Sequence, residues 1–127
     1  MQPILDTSIV IEIERENKAV IEKIEQLKDI YSALPKISFM TYFELFEGIS
    51  KKSEKNKEKA LMLINLFEVM QTTKKTAQIL ILLREKYELP LPDLFIAAQT
   101  LEHGGILVTK DTDFKSIQEI EKIILSD

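Results

Sequence analysis

The chain has 127 residues, of which 45% are hydrophobic and 30% are charged. These values are typical of one globular domain with a sizeable core, and they exclude a disordered chain. No apolar run approaches the roughly 18 residues that a membrane span needs. The chain has no cysteine and one histidine, His103, which excludes disulfides, thiolate sites and a multi-histidine zinc site. The lack of cysteine and of a secretory signal pattern leads us to expect a cytoplasmic protein.

The net charge of −4 gives no indication of nucleic-acid binding through bulk charge. It does not exclude such binding, because a metal site concentrates acidic residues and bound cations change the local charge. Any metal in this chain would be held mainly by carboxylate oxygens, which suits Mg²⁺ or Mn²⁺.

Along the chain, short apolar runs alternate with segments whose apolar residues recur at helical spacing. In chain order, the predicted elements are a strand over 2–5, helices over 6–16 and 18–30, a strand over 35–39, a helix over 41–49 that is capped near Thr41, a charged turn over 51–59, a helix over 60–70, a strand over 69–73, helices over 74–88 and 93–104, and strands over 106–109 and 121–125. This alternation predicts a single α/β domain over residues 1–127 with a central, mainly parallel sheet.

Four acidic residues fall at corresponding places in this pattern. Asp6 ends the first strand, and Asp111 follows the strand over 106–109. Glu44 lies in the first turn of the helix after the second strand, and Asp93 opens a later helix. Sites in open α/β sheets gather at the carboxyl ends of the strands, so the four side chains could converge.

Each acid also has a purely structural interpretation. Asp6 and Asp93 suit helix N-caps, and Glu44 would complement a helix dipole. Asp111 and Asp113 suit a turn. The structural interpretation is weaker for the acids taken together, because clustered carboxylates repel one another. Only a bound cation or strong pKa shifts would relieve that repulsion.

A carboxylate cluster of this kind suits phosphodiester hydrolysis. Several carboxylates can hold one or two Mg²⁺ ions that bind substrate phosphate. One ion can activate a water nucleophile, and a second can stabilise the leaving oxygen. This route needs no histidine, cysteine or serine nucleophile, and the chain is poor in such candidates.

Taken together, these motifs resemble the PIN domain, and the nearest branch is similar to the VapC toxins of toxin–antitoxin pairs. The resemblance spans Asp6 to Phe114 and rests on ILDTSIVIEI with Asp6, TYFELFEGI with Glu44 and Gly48, LPLPDLFIAAQTLEHGGILVT with Asp93, and TKDTDF with Asp111 and Asp113. Many VapC sequences carry Asn at the position of Asp111, so aspartate here makes a richer metal site.

The resemblance implies an α/β/α sandwich and a Mg²⁺- or Mn²⁺-dependent endoribonuclease. The acids that match the catalytic quartet are Asp6, Glu44, Asp93 and Asp111. Asp113 matches an additional acid at the metal. The hydroxyl residues that we expect to orient carboxylates, water or phosphate are Thr7, Ser8 and Thr109. VapC toxins cut RNA, often a tRNA or rRNA, are silenced by a VapB antitoxin, and commonly form homodimers.

Basic residues near these motifs are candidates for contact with RNA phosphates. Lys110 and Lys115 flank the last acidic motif, and Arg15 follows the first. Solvated surface cations remain the simpler interpretation for each of them.

Three other functions compete with a toxin. A PIN-domain nuclease could serve RNA processing or decay, and a PIN-like scaffold could bind RNA or protein without cutting. A phosphotransferase of the haloacid dehalogenase kind would use Asp6 as nucleophile, but Ser8 stands where that family carries a second acid.

Overall fold

The computed structural model describes residues 1–126. Its elements are β1 (Pro3–Leu5), α1 (Thr7–Glu14), α2 (Lys18–Tyr31), β2 (Lys36–Ile37), α3 (Phe39–Ile49), α4 (Glu54–Ile64), β3 (Glu68–Val69), α5 (Lys74–Lys86), α6 (Leu91–Glu102), β4 (Ile106–Thr109), a 3₁₀ helix (Thr112–Ser116) and β5 (Glu121–Ile124). No helix within residues 1–126 is both long enough and apolar enough to cross a membrane.

The five strands form one sheet in the order β3-β2-β1-β4-β5, and every pair of neighbours is parallel. The prediction of an α/β fold with a mainly parallel sheet is therefore confirmed. The chain builds outwards from β1 in both directions, to β2 on one side and to β4 on the other. This change of direction leaves a crevice at the carboxyl ends of β1 and β4.

Helices cover both faces of the sheet, because successive residues of a strand point to opposite sides. Ile4 and Leu107 pack into a core with residues of α5 and α6. Leu5 and Val108 pack into a second core with residues of α1, α2 and α4. All four side chains are fully buried. The result is the three-layer α/β/α arrangement that the family resemblance implied.

Several predicted helix boundaries differ from those in the structure because other residues cap the helices. Ser38, not Thr41, is the N-cap of α3, where its hydroxyl accepts a hydrogen bond of 3.0 Å from the Met40 N–H. Ser53 caps α4, so the second half of the predicted charged turn is helical. The helix α6 begins at Leu91, two residues before the predicted start, and Pro90 is its N-cap, because proline is tolerated at the beginning of a helix.

Gly105 allows the start of β4 to lie against β1. A Cβ atom at this position would meet Ile4 Cγ1 at 2.5 Å and the Gln2 carbonyl oxygen at 3.0 Å. We predict that Gly105→Ala destabilises the fold by about 1–3 kcal/mol, because the backbone and a buried side chain must shift. Gly48→Ala is the matched control, since a Cβ there meets nothing within 4 Å.

Urea unfolding of the two variants checks this prediction. Gly48→Ala is expected to be neutral or to stabilise by about 0.5–1 kcal/mol, because alanine favours a helix interior. Equal stability of the two variants would show that the close approach of β1 and β4 is unimportant.

Candidate metal centre

The crevice beside β1 and β4 receives the side chains that follow these two strands. The Asp6 N–H donates to the Val108 carbonyl at 3.1 Å, so the pairing of β1 with β4 continues to the residue that follows β1. Asp6 therefore lies beside Thr109, and Asp111 follows two residues later. The register of the two central strands brings together residues that are more than 100 positions apart in the sequence.

Asp6 is a helix cap and a buried carboxylate at the same time. Its side chain is 4% exposed and accepts a hydrogen bond of 3.3 Å from the Ile9 N–H as the N-cap of α1. The Ser8 hydroxyl donates to Oδ1 at 2.5 Å, and the Thr109 hydroxyl donates to Oδ2 at 2.5 Å. Burial raises the pKa of Asp6, although these hydrogen bonds favour the ionised form.

The loop after β4 is tied to Asp6 through the same hydroxyl groups. The Lys110 N–H donates to Ser8 Oγ at 3.1 Å, and the Asp111 N–H donates to Thr109 Oγ1 at 2.9 Å. Asp111 Oδ1 in turn accepts from the Asp113 N–H at 2.9 Å and caps the 3₁₀ helix. Asp111 thus also performs the turn function that its sequence context indicated.

Asp93, Asp111 and Asp113 form the compact part of the centre. Each offers one carboxylate oxygen, and these three oxygens lie within 4.8 Å of one another. Burial raises the pKa of Asp93 to about 6, with further contributions from repulsion by the charges of Asp111, Asp113, Asp6 and Glu44. All five predicted acids are therefore electrostatically coupled at one place.

Asp93 reaches this place from the first turn of α6. The alternative interpretation of Asp93 as a helix N-cap does not hold, because the helix begins at Leu91 and Pro90 occupies the cap position without a side-chain hydrogen bond. Within residues 1–126, no group donates a hydrogen bond to the Asp93 carboxylate. The carboxylate oxygens of Asp93 thus keep their lone pairs for a ligand.

Glu44 lies on α3 beside the compact group. The Thr7 hydroxyl donates to Glu44 Oε1 at 2.7 Å, and Thr41 Oγ1 lies 3.2 Å from Thr7 Oγ1. Thr41 is fully buried and belongs to the hydrogen-bonded group around Glu44, whereas the sequence predicted it only as a helix cap. Its position one helical turn before Glu44 was the only sequence signal for this role.

The three candidate RNA-binding cations occupy different positions. Lys110 Nζ lies 3.9 Å from Glu12 Oε2, and Arg15 Nη1 lies 3.7 Å from Glu12 Oε1. Arg15 also borders, with Glu44, a cavity of about 220 Å³ between α1 and α3. Lys115 is exposed on the 3₁₀ helix.

The family pattern of the PIN domain matches residues 4–120. The chain belongs to the PIN domain family. The predicted resemblance is therefore confirmed at the level of the family. No curated protein sequence matches this PIN domain.

The fold of this PIN domain is similar to solved toxin–antitoxin structures. A chain in the crystal structure of VapBC2 from Rickettsia felis, bound to a promoter DNA fragment, matches with a TM-score of 0.84 and 21% identity over 99% of this chain and 100% of that one. A chain of DNA-bound VapBC from Salmonella typhimurium matches with a TM-score of 0.81 and 22% identity, over 98% of each chain. A chain of VapBC-1 from nontypeable Haemophilus influenzae matches with a TM-score of 0.78 and 24% identity, over 98% of each chain.

The arrangement of donors fits a hard divalent cation. Three carboxylate oxygens within 4.8 Å of one another provide the oxygen ligands that Mg²⁺ and Mn²⁺ prefer. The repulsion that raises the pKa of Asp93 is the repulsion that a bound cation would remove. Asp93 and Asp111 are partly exposed, so solvent reaches this side of the carboxylate group.

The raised pKa of Asp93 predicts an unusual pH dependence of stability. In the metal-free protein, ionised Asp93 destabilises the fold above about pH 6. As the pH falls from about 6 towards the ordinary value of 3.8, the folded chain takes up a proton first and this destabilisation disappears. Asp93→Asn should therefore stabilise the metal-free protein at pH 8 by about 1 kcal/mol, a value reduced by solvent screening and by the lost helix-dipole interaction.

Thermal unfolding in a chelating buffer at pH 8 and pH 4 measures this effect. The advantage of Asp93→Asn is expected to vanish at pH 4, where the aspartate is protonated in the folded chain. A variant that is less stable than the unmodified chain by the same amount at both pH values would refute the proposed repulsion.

Proposed function

We propose that this PIN domain is a metal-dependent endoribonuclease that hydrolyses RNA phosphodiester bonds, and that it is the toxin of a toxin–antitoxin pair. The observation that carries the nuclease proposal is the group of three carboxylates, Asp93, Asp111 and Asp113, at the switch point of the sheet. Asp6 and Glu44 complete the set of acids, because their charges act on Asp93. We assign catalysis to Asp6, Glu44, Asp93 and Asp111, and metal binding to these four together with Asp113.

Each acid has a distinct task in this proposal. Asp93, Asp111 and Asp113 would hold Mg²⁺ or Mn²⁺, because their oxygens are close together and partly exposed. When bound, the cation supplies Lewis acidity and lowers the pKa of a coordinated water. Asp6 is 4% exposed, so it would complete the metal ligands from the inner side of the centre, where it also anchors the loop that carries Asp111.

Hydroxyl groups hold the acids in place. Thr109 and Ser8 donate to the two oxygens of Asp6, and Thr7 donates to Glu44. Each of these hydrogen bonds fixes the direction of a carboxylate, which is the role of residues that surround a metal site. The Glu44 oxygen that Thr7 does not contact is the one that would orient a water molecule or a substrate hydroxyl.

RNA would approach the partly exposed side of the carboxylate group. Lys110, in the loop that carries Asp111, and Lys115, on the 3₁₀ helix, would neutralise backbone phosphates. Arg15, which borders the same cavity as Glu44, would contact the RNA backbone on the opposite side of the carboxylate group. We propose that this activity acts in the cytoplasm, where such RNA substrates are present. A PIN-domain nuclease of RNA processing or decay would use the same chemistry, and the absence of an antitoxin would favour it.

Substitution of the acids tests the nuclease proposal. We predict that the purified protein cleaves RNA with Mg²⁺ or Mn²⁺, and that Asp93→Asn and Asp6→Asn reduce the rate by about a hundredfold or more. Asp29→Asn on the exposed face of α2 is the matched control and should cleave at the unmodified rate. The rate is measured with a labelled RNA after folding of each variant has been checked by circular dichroism.

Two results would contradict this assignment. If Asp93→Asn cleaved RNA at the same rate as Asp29→Asn, the carboxylate group would have no part in the mechanism. Lack of cleavage of any RNA by the unmodified chain, together with no Mn²⁺ binding in calorimetry, would favour a scaffold that binds without cutting.

A partner protein is supported by an apolar surface away from the acids. A cavity of about 270 Å³ lies between α2 and the segments before β2 and β3, and its lining includes Leu34 and Leu66. These two side chains are 71% and 78% exposed, which is unusual for large apolar residues that lie together. We propose that an apolar segment of a VapB-like antitoxin covers this cavity, in keeping with the VapBC assemblies that share the fold.

A different apolar face fits a second copy of this chain. Phe39, Phe43 and Phe46 lie on one side of α3 and are 44%, 50% and 51% exposed. Their spacing of four and three residues forms a stripe along the helix. We propose that this stripe forms the contact of a homodimer.

Co-expression with the product of the adjoining reading frame tests the antitoxin surface, and light scattering tests the dimer. We predict that the two proteins copurify, and that Leu34→Asp with Leu66→Asp abolishes copurification without reducing RNA cleavage or the dimeric mass measured by light scattering. Ile81→Asp on α5 is the matched control, because Ile81 is 54% exposed and lies outside the cavity. Copurification of the double variant at the unmodified yield would refute the proposed antitoxin surface, and a monomeric mass would refute the dimer.

A further inference from the structure

Gln99 is a buried polar residue that links the two helices carrying Asp93 and Glu44. It lies on α6, six residues after Asp93, which is about 9 Å along a helix. Its side chain is fully buried and follows the buried apolar residues Ile96, Ala97 and Ala98. Burying an amide in such a place is unfavourable unless hydrogen bonds satisfy it.

Four hydrogen bonds satisfy the Gln99 side chain. Its Oε1 atom accepts from the Ser38 hydroxyl at 2.7 Å and from the Phe39 N–H at 2.8 Å. Its Nε2 atom donates to the carbonyl oxygens of Met70 at 3.3 Å and Gln71 at 3.1 Å. The amide therefore uses two acceptor positions and two donor positions, which is its full capacity.

These partners are the ends of two other elements. Ser38 and Phe39 begin α3, and Met70 and Gln71 follow β3. Glu44 lies on α3, five residues after Phe39. Within residues 1–126, the two bonds to Oε1 are the only hydrogen bonds that join the start of α3 to α6. Apolar contacts also join these elements: the ring centroids of Phe39 and Phe95 are 6.3 Å apart, and Met40 packs against the core that includes residues of α6.

Apolar packing alone tolerates small rotations of one helix against another, whereas hydrogen bonds are directional. The bonds of Gln99 fix both the start of α3 and its distance from α6. Because Glu44 and Asp93 lie on these two helices, their separation depends on the same contacts. We propose that Gln99 is a positioning residue for the metal centre, one that sets the place of Glu44 relative to Asp93. This inference rests on the proposed metal-dependent nuclease function.

The test compares two buried polar residues that differ in what they connect. Gln99→Met keeps the length of the side chain and removes its amide hydrogen bonds. Thr76→Val is the matched control, because Thr76 is 1% exposed and donates to Glu102 Oε1 at 2.5 Å. That contact joins the start of α5 to the far end of α6, about 14 Å along the helix from Asp93.

Mn²⁺ affinity from calorimetry and the separate values of kcat and KM for RNA are measured at a temperature at which both variants are fully folded. We expect Gln99→Met to weaken Mn²⁺ binding and to lower kcat by roughly tenfold each, with KM nearly unchanged. Thr76→Val is expected to lower the melting temperature with unchanged Mn²⁺ affinity and kcat. Ser38→Ala removes one of the two donors to Oε1, so it should give a smaller loss in the same two quantities, about threefold.

The outcomes separate this inference from the proposed function. If the unmodified chain binds Mn²⁺ and cleaves RNA while Gln99→Met behaves like Thr76→Val, the role of Gln99 is overturned and the nuclease stands. If Gln99→Met does not fold, the test rests on Ser38→Ala. Unchanged Mn²⁺ affinity and kcat in that variant would then overturn the positioning role of Gln99. If the unmodified chain neither binds Mn²⁺ nor cleaves RNA, the proposed function and the role of Gln99 both fail.

Discussion

A carboxylate buried between two strands is the constraint on which the rest of the centre depends. Asp6 is 4% exposed, and removing its charge from water opposes folding unless other groups compensate. The Thr109 and Ser8 hydroxyls and the Ile9 N–H provide that compensation. Each donor is itself fixed by secondary structure, Thr109 by β4 and the other two by α1. Satisfying one buried acid therefore determines how the first helix and the last part of the sheet meet.

The second constraint is repulsion between the acids that surround Asp6. Burial and four neighbouring negative charges raise the pKa of Asp93 to about 6. Rigid elements hold Asp93 and Asp111 close together in spite of this cost, since α6 carries one and the 3₁₀ turn after β4 carries the other. A cation that bound among these carboxylates would offset the repulsion and stabilise the folded chain. Under the proposed function, the charges that would hold a cation are thus the charges that destabilise the metal-free fold.

Local chemistry explains which parts of this arrangement the sequence predicted. Apolar runs bounded by capping residues indicated most of the elements, and the acids at strand ends indicated Asp6 and Asp111. The starts of α3 and α6 were misplaced because Ser38 and Pro90 compete with Thr41 and Asp93 for the cap position. Such competition is decided by packing and not by residue preference alone.

Long-range contacts explain what the sequence did not predict. Gln99 bonds to groups that lie 60 and 61 residues earlier, and a single glutamine in an apolar helix gives no sign of its partners. The burial of Thr41 against Thr7 depends likewise on how α1 packs against α3. No local sequence pattern indicates either contact, because each forms only when separate elements pack together.

The hydrogen bond between Thr109 and Asp6 spans 103 residues of sequence. During synthesis, β1 leaves the ribosome long before β4, and loop closure over such a distance is slow. A nascent chain in which β1, α1 and α3 have emerged still lacks Thr109 and Asp111, so Asp6 has no neighbour on the β4 side of the sheet. The centre therefore assembles only after β4 has emerged, and ribosome-bound chains that end before residue 106 cannot form the complete site.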